Sequence, residues 1–289
     1  MNDPIEVMPV EWNPADGEAP LEVFTRRSLF ERVPIERLGR HERLQFHLVQ
    51  IVTGGVGHHE VDFVDVELRR GSVLVIEPGQ VHRWHVTVEL ETVLVLFPDE
   101  PSALLGRWFS RPMLAQLDDE RLAAALEVIE LIRVEREIVQ PTLASTTALA
   151  GLRDVLIARL GLLDDDSEVT GDPSVAYRSF RSDLDTYVDV TQTIADRATR
   201  LGYSPRTLAR ACRQATGRTA KQLTDERLLL EARRLLSQPG VSAARAGHQL
   251  GFSEATNFSK FFRRLTGERP SEWQRRVISS SPRPLERSR

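Results

Sequence analysis

The feature that most constrains the fold is a sequence repeat in the last third of the chain. LGYSPRTLARACRQATGRTAKQL begins at Leu201, and LGFSEATNFSKFFRRLTGERPSEW begins at Leu250. The copies align over 23 positions when one extra residue, Asn257, is allowed in the second copy, and seven aligned pairs are identical. Self-similarity of this kind indicates a duplicated supersecondary unit.

Each copy has the pattern of a helix-turn-helix. Gly202 and Gly251 supply a tight turn after a preceding helix. Ser204 and Ser253 are the predicted N-caps of the helix that follows. The apolar residues of that helix recur at i, i+3, i+4 and i+7 and predict one buried face. They are Leu208, Ala211, Cys212 and Ala215 in the first copy, and Phe258, Phe261, Phe262 and Leu265 in the second.

The opposite face of each helix is polar and largely basic. It carries Arg206, Ala209, Arg210 and Arg213 in the first copy, and Thr256, Ser259, Lys260, Arg263 and Arg264 in the second. The phenylalanines are therefore predicted to be core residues rather than base-stacking groups.

The charge of the chain is divided between its two halves. Residues 177–289 carry 22 Lys and Arg against 11 Asp and Glu, a net charge of +11. Residues 1–176 carry 16 against 31, a net charge of −15. A basic unit joined to an acidic one favours nucleic acid as the partner of the basic unit. The alternative is a basic helical surface that is merely solvated and binds nothing.

A helix predicted over about 224–237 lies between the two copies, with a periodic apolar row and a stop at Pro239-Gly240. Its length, at 1.5 Å per residue, is compatible with two modules about 34 Å apart, which is one turn of DNA. Both copies could then enter successive major grooves on one face of the duplex.

The N-terminal half has a different pattern. Residues 1–20 are predicted to be an arm, and residues 21–100 contain short valine-rich segments separated by Gly and Pro, as in HLVQIVT, EVDFVDVEL, SVLVIEP, RWHVTVEL and TVLVLF. Such segments favour an antiparallel barrel or sandwich. The turns are clearest at TGGVG, residues 53–57, and RRGS, residues 69–72. The fold class is therefore α+β and multidomain, with an all-α C-terminal domain.

Helices are predicted for residues 101–163, as a short one over 102–115 and two longer ones over 118–139 and 142–163. The last contains a leucine row that either forms a dimer contact or packs on the barrel: Leu149, Leu152, Leu156 and Leu160. Residues 164–176 are the predicted linker, 177–277 the helix-turn-helix domain, and 278–289 a disordered tail.

The C-terminal patterns closely resemble the AraC/XylS family of bacterial transcription regulators, over residues 180–276. The resemblance rests on RLLLEARRLL and on the second repeat. It implies two helix-turn-helix modules that bind double-stranded DNA. The base-reading positions that it implies are Arg206, Ala209 and Arg210 in the first module and Ala255, Thr256, Ser259 and Lys260 in the second.

Other basic residues of the two helices are predicted to contact phosphates, which fix register without reading sequence. They are Arg213, Arg263 and Arg264. The sequence departs from the family pattern at Ala246 and Gly247, and a glycine within a helix costs about 1 kcal/mol, so the second module is expected to be loosely supported.

The strand-rich half resembles the cupin barrel that serves the family as a sensor. RRGSVLVIEPGQVHRWHV matches the second cupin motif through Gly71, Pro78, Gly79 and His82. Metal-dependent cupins use an HxH…E motif, but His58 and His59 are adjacent, and adjacent strand residues point to opposite faces. We therefore predict no metal ligands, no cofactor and no catalytic residues. The predicted small-molecule contacts are His47, His82 and Trp84.

The sequence thus predicts a cytoplasmic DNA-binding regulator, a homodimer that responds to a small-molecule effector and contacts RNA polymerase. No apolar run reaches the roughly 18 residues of a membrane span, and the single cysteine, Cys212, excludes an internal disulfide. Two alternatives stay open at this point. One is a metal-dependent cupin enzyme with an appended helical domain, and the other is a module whose basic face docks an acidic protein.

Overall fold

A computed structural model describes residues 8–10, 21–33, 39–85, 90–98, 113–137, 142–160, 175–238 and 240–279. These fall in two compact units, one within Val7–Asp164 and one within Asp165–Ser281. Residues 164–174 of the predicted linker, residues 280–289 of the predicted tail and most of the predicted N-terminal arm lie outside the described residues, whereas 175–176 and 278–279 are helical.

The N-terminal unit is built from two five-stranded sheets. One sheet has the order β1 (Met8–Val10), β3 (Glu42–Leu44), β8 (Val81–Trp84), β5 (Val56–Val61), β6 (Val64–Arg69). The other has the order β10 (Met113–Gln116), β7 (Ser72–Ile76), β4 (Phe46–Gly54), β9 (Glu91–Pro98), β2 (Glu22–Thr25). All described pairings are antiparallel except that of β1 with β3. The predicted antiparallel cupin-like fold is confirmed.

Apolar side chains from both sheets meet in the barrel interior, among them Leu48, Leu68, Leu74 and Leu94. A short helix, α1 (Arg26–Arg32), follows β2. The outer face of the β4 sheet packs against α2 (Asp119–Arg136) and α3 (Leu143–Arg159). The leucine row of α3 lies in this second core, so it packs on the barrel.

Two sequence predictions for this unit were wrong. EVDFVDVEL is not one strand, because Asp62 and Phe63 adopt positive φ angles of 49° and 66° and form the turn between β5 and β6. The end of the predicted helix over 102–115 is instead strand β10, paired with β7, and the rest of that segment lies outside the described residues.

The C-terminal unit is all helical, as predicted. Its helices are α4 (Val175–Thr186), α5 (Ile194–Arg200), α6 (Pro205–Thr216), α7 (Ala220–Leu236), α8 (Ala243–Gln249), α9 (Ala255–Thr266) and α10 (Pro270–Ser279). Helix α7 is the predicted linker helix, but it begins four residues earlier than expected, because Thr219 and Gln222 form a capping box at its start. Its 17 residues extend about 25 Å.

Candidate functional site

The helix-turn-helix of the first module consists of α5 and α6. Gly202 takes a φ of +72° in the turn between them. The Ser204 hydroxyl then accepts a hydrogen bond from the amide of Thr207 at 3.1 Å, and Pro205 begins the helix. The helix ends at Gly217, which adopts the left-handed conformation that a C-terminal cap requires.

The second module repeats this arrangement in α8 and α9, but not in the predicted register. Helix α9 begins at Ala255, so its N-cap is Glu254 and not Ser253. The extra residue of the second copy is therefore Ser253 in the turn, and the prediction of Asn257 was wrong. An insertion within the helix would turn every following side chain by about 100° away from its face. An insertion in the turn leaves the faces of α6 and α9 equivalent.

The buried faces of α6 and α9 follow the predicted spacing. Three positions of each helix are buried, while Ala215 and Leu265 are half-buried: Leu208, Ala211 and Cys212 in α6, and Phe258, Phe261 and Phe262 in α9. The Phe258 and Phe262 rings lie 6.0 Å apart, and Trp273 of α10 lies 6.0 Å from Phe262. The aromatic side chains are therefore core residues, and base stacking is not available to them.

The outward faces carry the predicted contact residues. Most of these are exposed, and Ala209 and Ser259 are half-buried. In the part of the chain that the structure describes, five basic side chains on these faces form no hydrogen bond or ion pair: Arg206, Arg210, Arg213, Lys260 and Arg263. Their donors remain available to phosphates and to base edges.

Arg264 differs from these residues. Its Nη2 atom lies 3.0 Å from Oδ2 of Asp225 on α7, and the same carboxylate accepts from Lys221 at 2.5 Å. Asp225 is buried, so it joins the second recognition helix to the linker helix. The prediction of a phosphate contact at Arg264 did not anticipate this ion pair.

A buried ionic network supports the first module. Arg197 of α5 is 1% exposed and donates to the Asp183 carboxylate and to the carbonyl of Tyr187. Arg200 also donates to Asp183, at 2.6 Å. Burial alone would raise the pKa of Asp183, but the hydrogen bonds from Arg200 and Arg197 outweigh it and hold the pKa below its ordinary value. The network fixes α5 to α4.

The second module uses close packing at the position where a weakness was expected. A Cβ atom on Gly247 would lie 2.8 Å from Cβ of Phe258. The glycine therefore allows α8 to approach the large side chain of α9. The close contact opposes the expected cost of Gly247 to the helix, and the prediction of a loosely supported module remains to be tested.

Sequence reasoning missed Asp183, Arg197, Asp225 and Glu254. A charged residue at an apolar position of an amphipathic helix was the available signal for Arg197. No signal identified Asp183 and Asp225, because their arginine partners on other helices are 14 to 39 residues away in sequence.

A second group of polar residues lies inside the barrel. His59 and His82 are fully buried, with His59 Nε2 and His82 Nδ1 3.0 Å apart, and Nδ1 of His59 is 2.8 Å from Oε1 of Gln50. The ring of Trp84 lies 4.4 Å from that of His59. His58 points outward and pairs with Asp65 at 2.8 Å, so the two adjacent histidines lie on opposite faces of β5, as predicted.

The structure brings together only two of the three predicted small-molecule contacts. The ring centroids of His82 and Trp84 lie 6.0 Å apart inside the barrel. His47 lies on the other face of β4, stacked on Phe97 at 5.0 Å, in the layer between the sheet and helices α2 and α3. Gln50, three residues along the same strand, occupies the inward position that was expected for His47.

Burial favours the neutral form of His59 and His82. Burial lowers the pKa of His82 to about 3 and lowers the pKa of His59 well below its ordinary value. With the Gln50 oxygen as acceptor, His59 donates from Nδ1 and accepts from His82 at Nε2. This leaves Nε2 of His82 as a buried acceptor, and Nε2 of Gln50 as a buried donor, without a partner among the described residues.

Two further findings concern the described residues alone. They contain no helix long and apolar enough to cross a membrane. They also contain no group of three or more His, Cys, Asp or Glu side chains placed to hold a metal ion.

Comparison with known proteins gives matches in both units. A family model described as an AraC-like ligand binding domain matches residues 29–150, and one described as a helix-turn-helix domain matches residues 197–276. The transcriptional activator RhaS of Escherichia fergusonii is 26% identical over 257 residues, 83% of this chain and 89% of that protein. The comparisons do not support the alternative of a metal-dependent cupin enzyme.

Two more similarities are shorter or lower in sequence identity. RhaS of Pectobacterium carotovorum subsp. carotovorum is 35% identical over 82 residues, 28% of this chain and 29% of that protein. The crystal structure of ToxT from Vibrio cholerae O395 has a TM-score of 0.43 at 14% identity, covering 82% of this chain and 91% of that one.

Proposed function

Because the chain belongs to the AraC/XylS family of transcription regulators, we propose that α6 and α9 read base edges in two major-groove segments of a promoter. The observation that carries the proposal is the outward row of unpaired cations on two helices of identical register. Arg206 and Arg210 of α6 correspond to Thr256 and Lys260 of α9. Arg213 and Arg263 follow on the same faces and would bind phosphates.

Gel-shift measurements on the region upstream of its own gene test this proposal. Binding should weaken steeply with salt, because Lys and Arg displace counterions from the phosphates. Arg210→Ala and Lys260→Ala should each reduce the preference for the specific site by about 1–3 kcal/mol. Arg121→Ala is a matched control, since it removes an exposed arginine from the N-terminal unit. If both variants discriminate between sequences as the parent does, the assignment of base contacts is wrong.

We also propose that a small-molecule effector binds in the barrel. The support is a pair of buried, unpartnered groups, Nε2 of His82 and Nε2 of Gln50, with the Trp84 ring centroid 6.0 Å from that of His82. One accepts and the other donates, and both histidines are neutral. This chemistry suits an uncharged molecule with hydroxyl groups, which can donate and accept at once.

Thermal unfolding with a panel of uncharged polyols and sugars tests the effector proposal. A molecule that binds the native barrel should raise the melting temperature of the parent with increasing concentration. His82→Ala should lose this response, whereas His58→Ala, which removes an outward histidine of the same unit, should keep it. A response that survives in His82→Ala would place the site elsewhere.

The remaining partners follow from the family. We propose that the protein is a cytoplasmic homodimer that contacts RNA polymerase. We also propose that it is an activator, because the RhaS relative is named a transcriptional activator. The inner faces of α2 and α3 pack on the barrel, so a dimer contact would use their outer faces. Exposed apolar residues are present there: Leu131, Val134, Leu143 and Val155.

A further inference from the structure

The N-cap of α9 differs in chemistry from the N-cap of α6. In the first module Ser204 caps the helix with its hydroxyl. In the second module Glu254 makes no capping hydrogen bond, although a serine stands beside it in the turn. A Ser, Asp or Asn cap would stabilise the helix by about 1 kcal/mol. The second module gives up this contribution and presents an exposed carboxylate instead.

Glu254 is connected to a predicted base-reading residue. The hydroxyl of Thr256 donates to Oε2 of Glu254 at 3.0 Å. A carboxylate can only accept hydrogen bonds, so the hydroxyl proton of Thr256 is committed to it. The Glu254 carboxylate and the Thr256 hydroxyl oxygen therefore present only hydrogen-bond acceptors to the surroundings of the helix. Both are exposed at the N-terminal end of the helix, which is the part of a recognition helix that contacts base edges.

The major groove contains few groups that such acceptors can bind. Only the amino groups of cytosine and adenine donate there, whereas guanine presents O6 and N7 and thymine presents O4 and a methyl group. Acidic side chains pair with the cytosine amino group, and amide side chains pair with adenine through two hydrogen bonds. We propose that Glu254 is a specificity-determining residue that selects cytosine at one base pair, with Thr256 holding its carboxylate in place. This inference rests on the proposed DNA-binding function.

The two modules then differ in what they read. In α6, Ser204 stands at the position of Glu254, and Arg206 and Arg210 stand at the positions of Thr256 and Lys260. The two arginines are donors suited to guanine. In α9 an acceptor pair comes first, and the donor Lys260 follows one turn later. A carboxylate close to DNA also repels phosphates, so Glu254 lowers affinity for every sequence and is offset only at a base pair that donates to it.

Selection of bound sequences from randomised double-stranded DNA tests the inference, with the full-length parent and Glu254→Gln. The parent should favour cytosine at one position, by about 10-fold over adenine. Glu254→Gln should favour adenine at that position and leave the guanines contacted by α6 unchanged. It should also bind non-specific DNA more tightly, because one negative charge is removed.

Glu226→Gln is the matched control. Glu226 is an exposed carboxylate on α7 of the same unit. Its Oε2 atom lies 2.6 Å from Nη1 of Arg218. Its substitution changes the net charge equally and should leave the selected sequence unchanged. Thr256→Val keeps the side-chain shape but removes the hydroxyl, and it should weaken the cytosine preference without moving it to another base.

The outcomes separate the two proposals. A parent that selects no sequence would remove the proposed function itself. A parent that selects a sequence, together with a Glu254→Gln variant that selects the same base at every position, would overturn the role of Glu254 alone. The role of Glu254 would also be overturned if Glu226→Gln changed the preferred base at the same position as Glu254→Gln does. A cytosine-to-adenine change confined to Glu254→Gln supports the inference.

Discussion

Gly247 and Phe258 show how the two modules keep one architecture with different side chains. The register of the repeat places Ala198 of α5 at the position of Gly247 in α8, and Leu208 of α6 at the position of Phe258 in α9. Ala198 and Leu208 belong to one packed core. Relative to the first module, the second has a larger residue on α9, Phe258, and a smaller residue on α8, Gly247. The exchange conserves volume across the contact, as close-packed interiors require.

We predict that Gly247→Ala destabilises the C-terminal unit by about 1–3 kcal/mol, because its Cβ would lie 2.8 Å from Phe258. Helix propensity alone predicts a gain of about 1 kcal/mol, so the two effects have opposite signs. Adding Phe258→Leu should recover part of the loss by recreating the pair of the first module. Urea unfolding of the two single variants and the double variant measures this coupling. An equal or higher stability for Gly247→Ala would contradict the packing argument.

Glu60 provides a second residue-scale prediction, in the N-terminal unit. Burial would raise the pKa of its carboxyl, but the hydrogen bond and charge of His41 and the charge of Arg83 lower it to about 2, against 4.5 ordinarily. The stabilisation is therefore complete above about pH 4.5 and is lost as the pH falls toward 2. Urea unfolding at pH 5 and pH 3 should show a smaller loss of stability in Glu60→Gln than in the parent. Equal losses would show that Glu60 is not responsible.

At the scale of the element, the orientation of α9 depends on the linker helix. Asp225 of α7 binds Lys221 within its own helix and Arg264 on α9. At the other end of α7, the side chain of Gln274 on α10 donates to the carbonyls of Leu236 and Val241. The second module is thus attached to α7 at both ends of that helix.

The ion pair predicts different roles for two adjacent arginines. Arg263→Ala should reduce the slope of log affinity against log salt by about 1, because it removes a free phosphate contact. Arg264→Ala should change the slope less, because its guanidinium is already shared with Asp225, and should instead lower the stability of the C-terminal unit. Fluorescence anisotropy with labelled DNA across a salt series gives the slopes. Equal slopes for both variants would mean that Arg264 leaves Asp225 when DNA binds.

The elements that the sequence predicted well are those with a clear period and end signals. The spacing of Leu208 and Phe258 with their neighbours predicted both buried faces, and the glycines predicted both turns. The site of the extra residue could not be found, because Ser204 and Ser253 match in sequence while only helix geometry shows that they are not equivalent. His47 and Gln50 could not be assigned to faces, because β4 is buried on both sides and lacks a polar alternation.

At the scale of the whole molecule, the charges of the two units have separate consequences. The basic charge of residues 177–289 includes cations that are already paired, such as Arg200, Arg218 and Arg227. The free cations are concentrated on α6 and α9, so electrostatic attraction to DNA would be directed to the two helices that we propose read it. The acidic residues 1–176 give the whole chain a net charge of −4, which limits its attraction to DNA away from a specific site.

The outer faces of α2 and α3 lead to the last prediction, which concerns assembly. Leu131 and Val134 of α2 are 56% and 65% exposed, and Leu143 of α3 is 86% exposed. Gly151 of α3 has open space around its Cα, although a glycine in a helix costs about 1 kcal/mol relative to alanine. Such a surface suits the close approach of a second copy, and a regulator with two-fold symmetry doubles its set of DNA contacts.

We expect the full chain to sediment as a dimer and Val134→Asp to sediment as a monomer, because a carboxylate would be buried without a partner in the contact. Val64→Asp is the matched control, since Val64 is 54% exposed on strand β6, away from these helices. Sedimentation velocity gives the mass of each species, and gel shift gives its affinity. The monomeric variant should keep the base preference of each module but lose the cooperative occupation of paired sites. If Val134→Asp and Val64→Asp both remain dimeric, the second copy binds another surface. If the parent is a monomer at micromolar concentration, the outer faces of α2 and α3 have a different role.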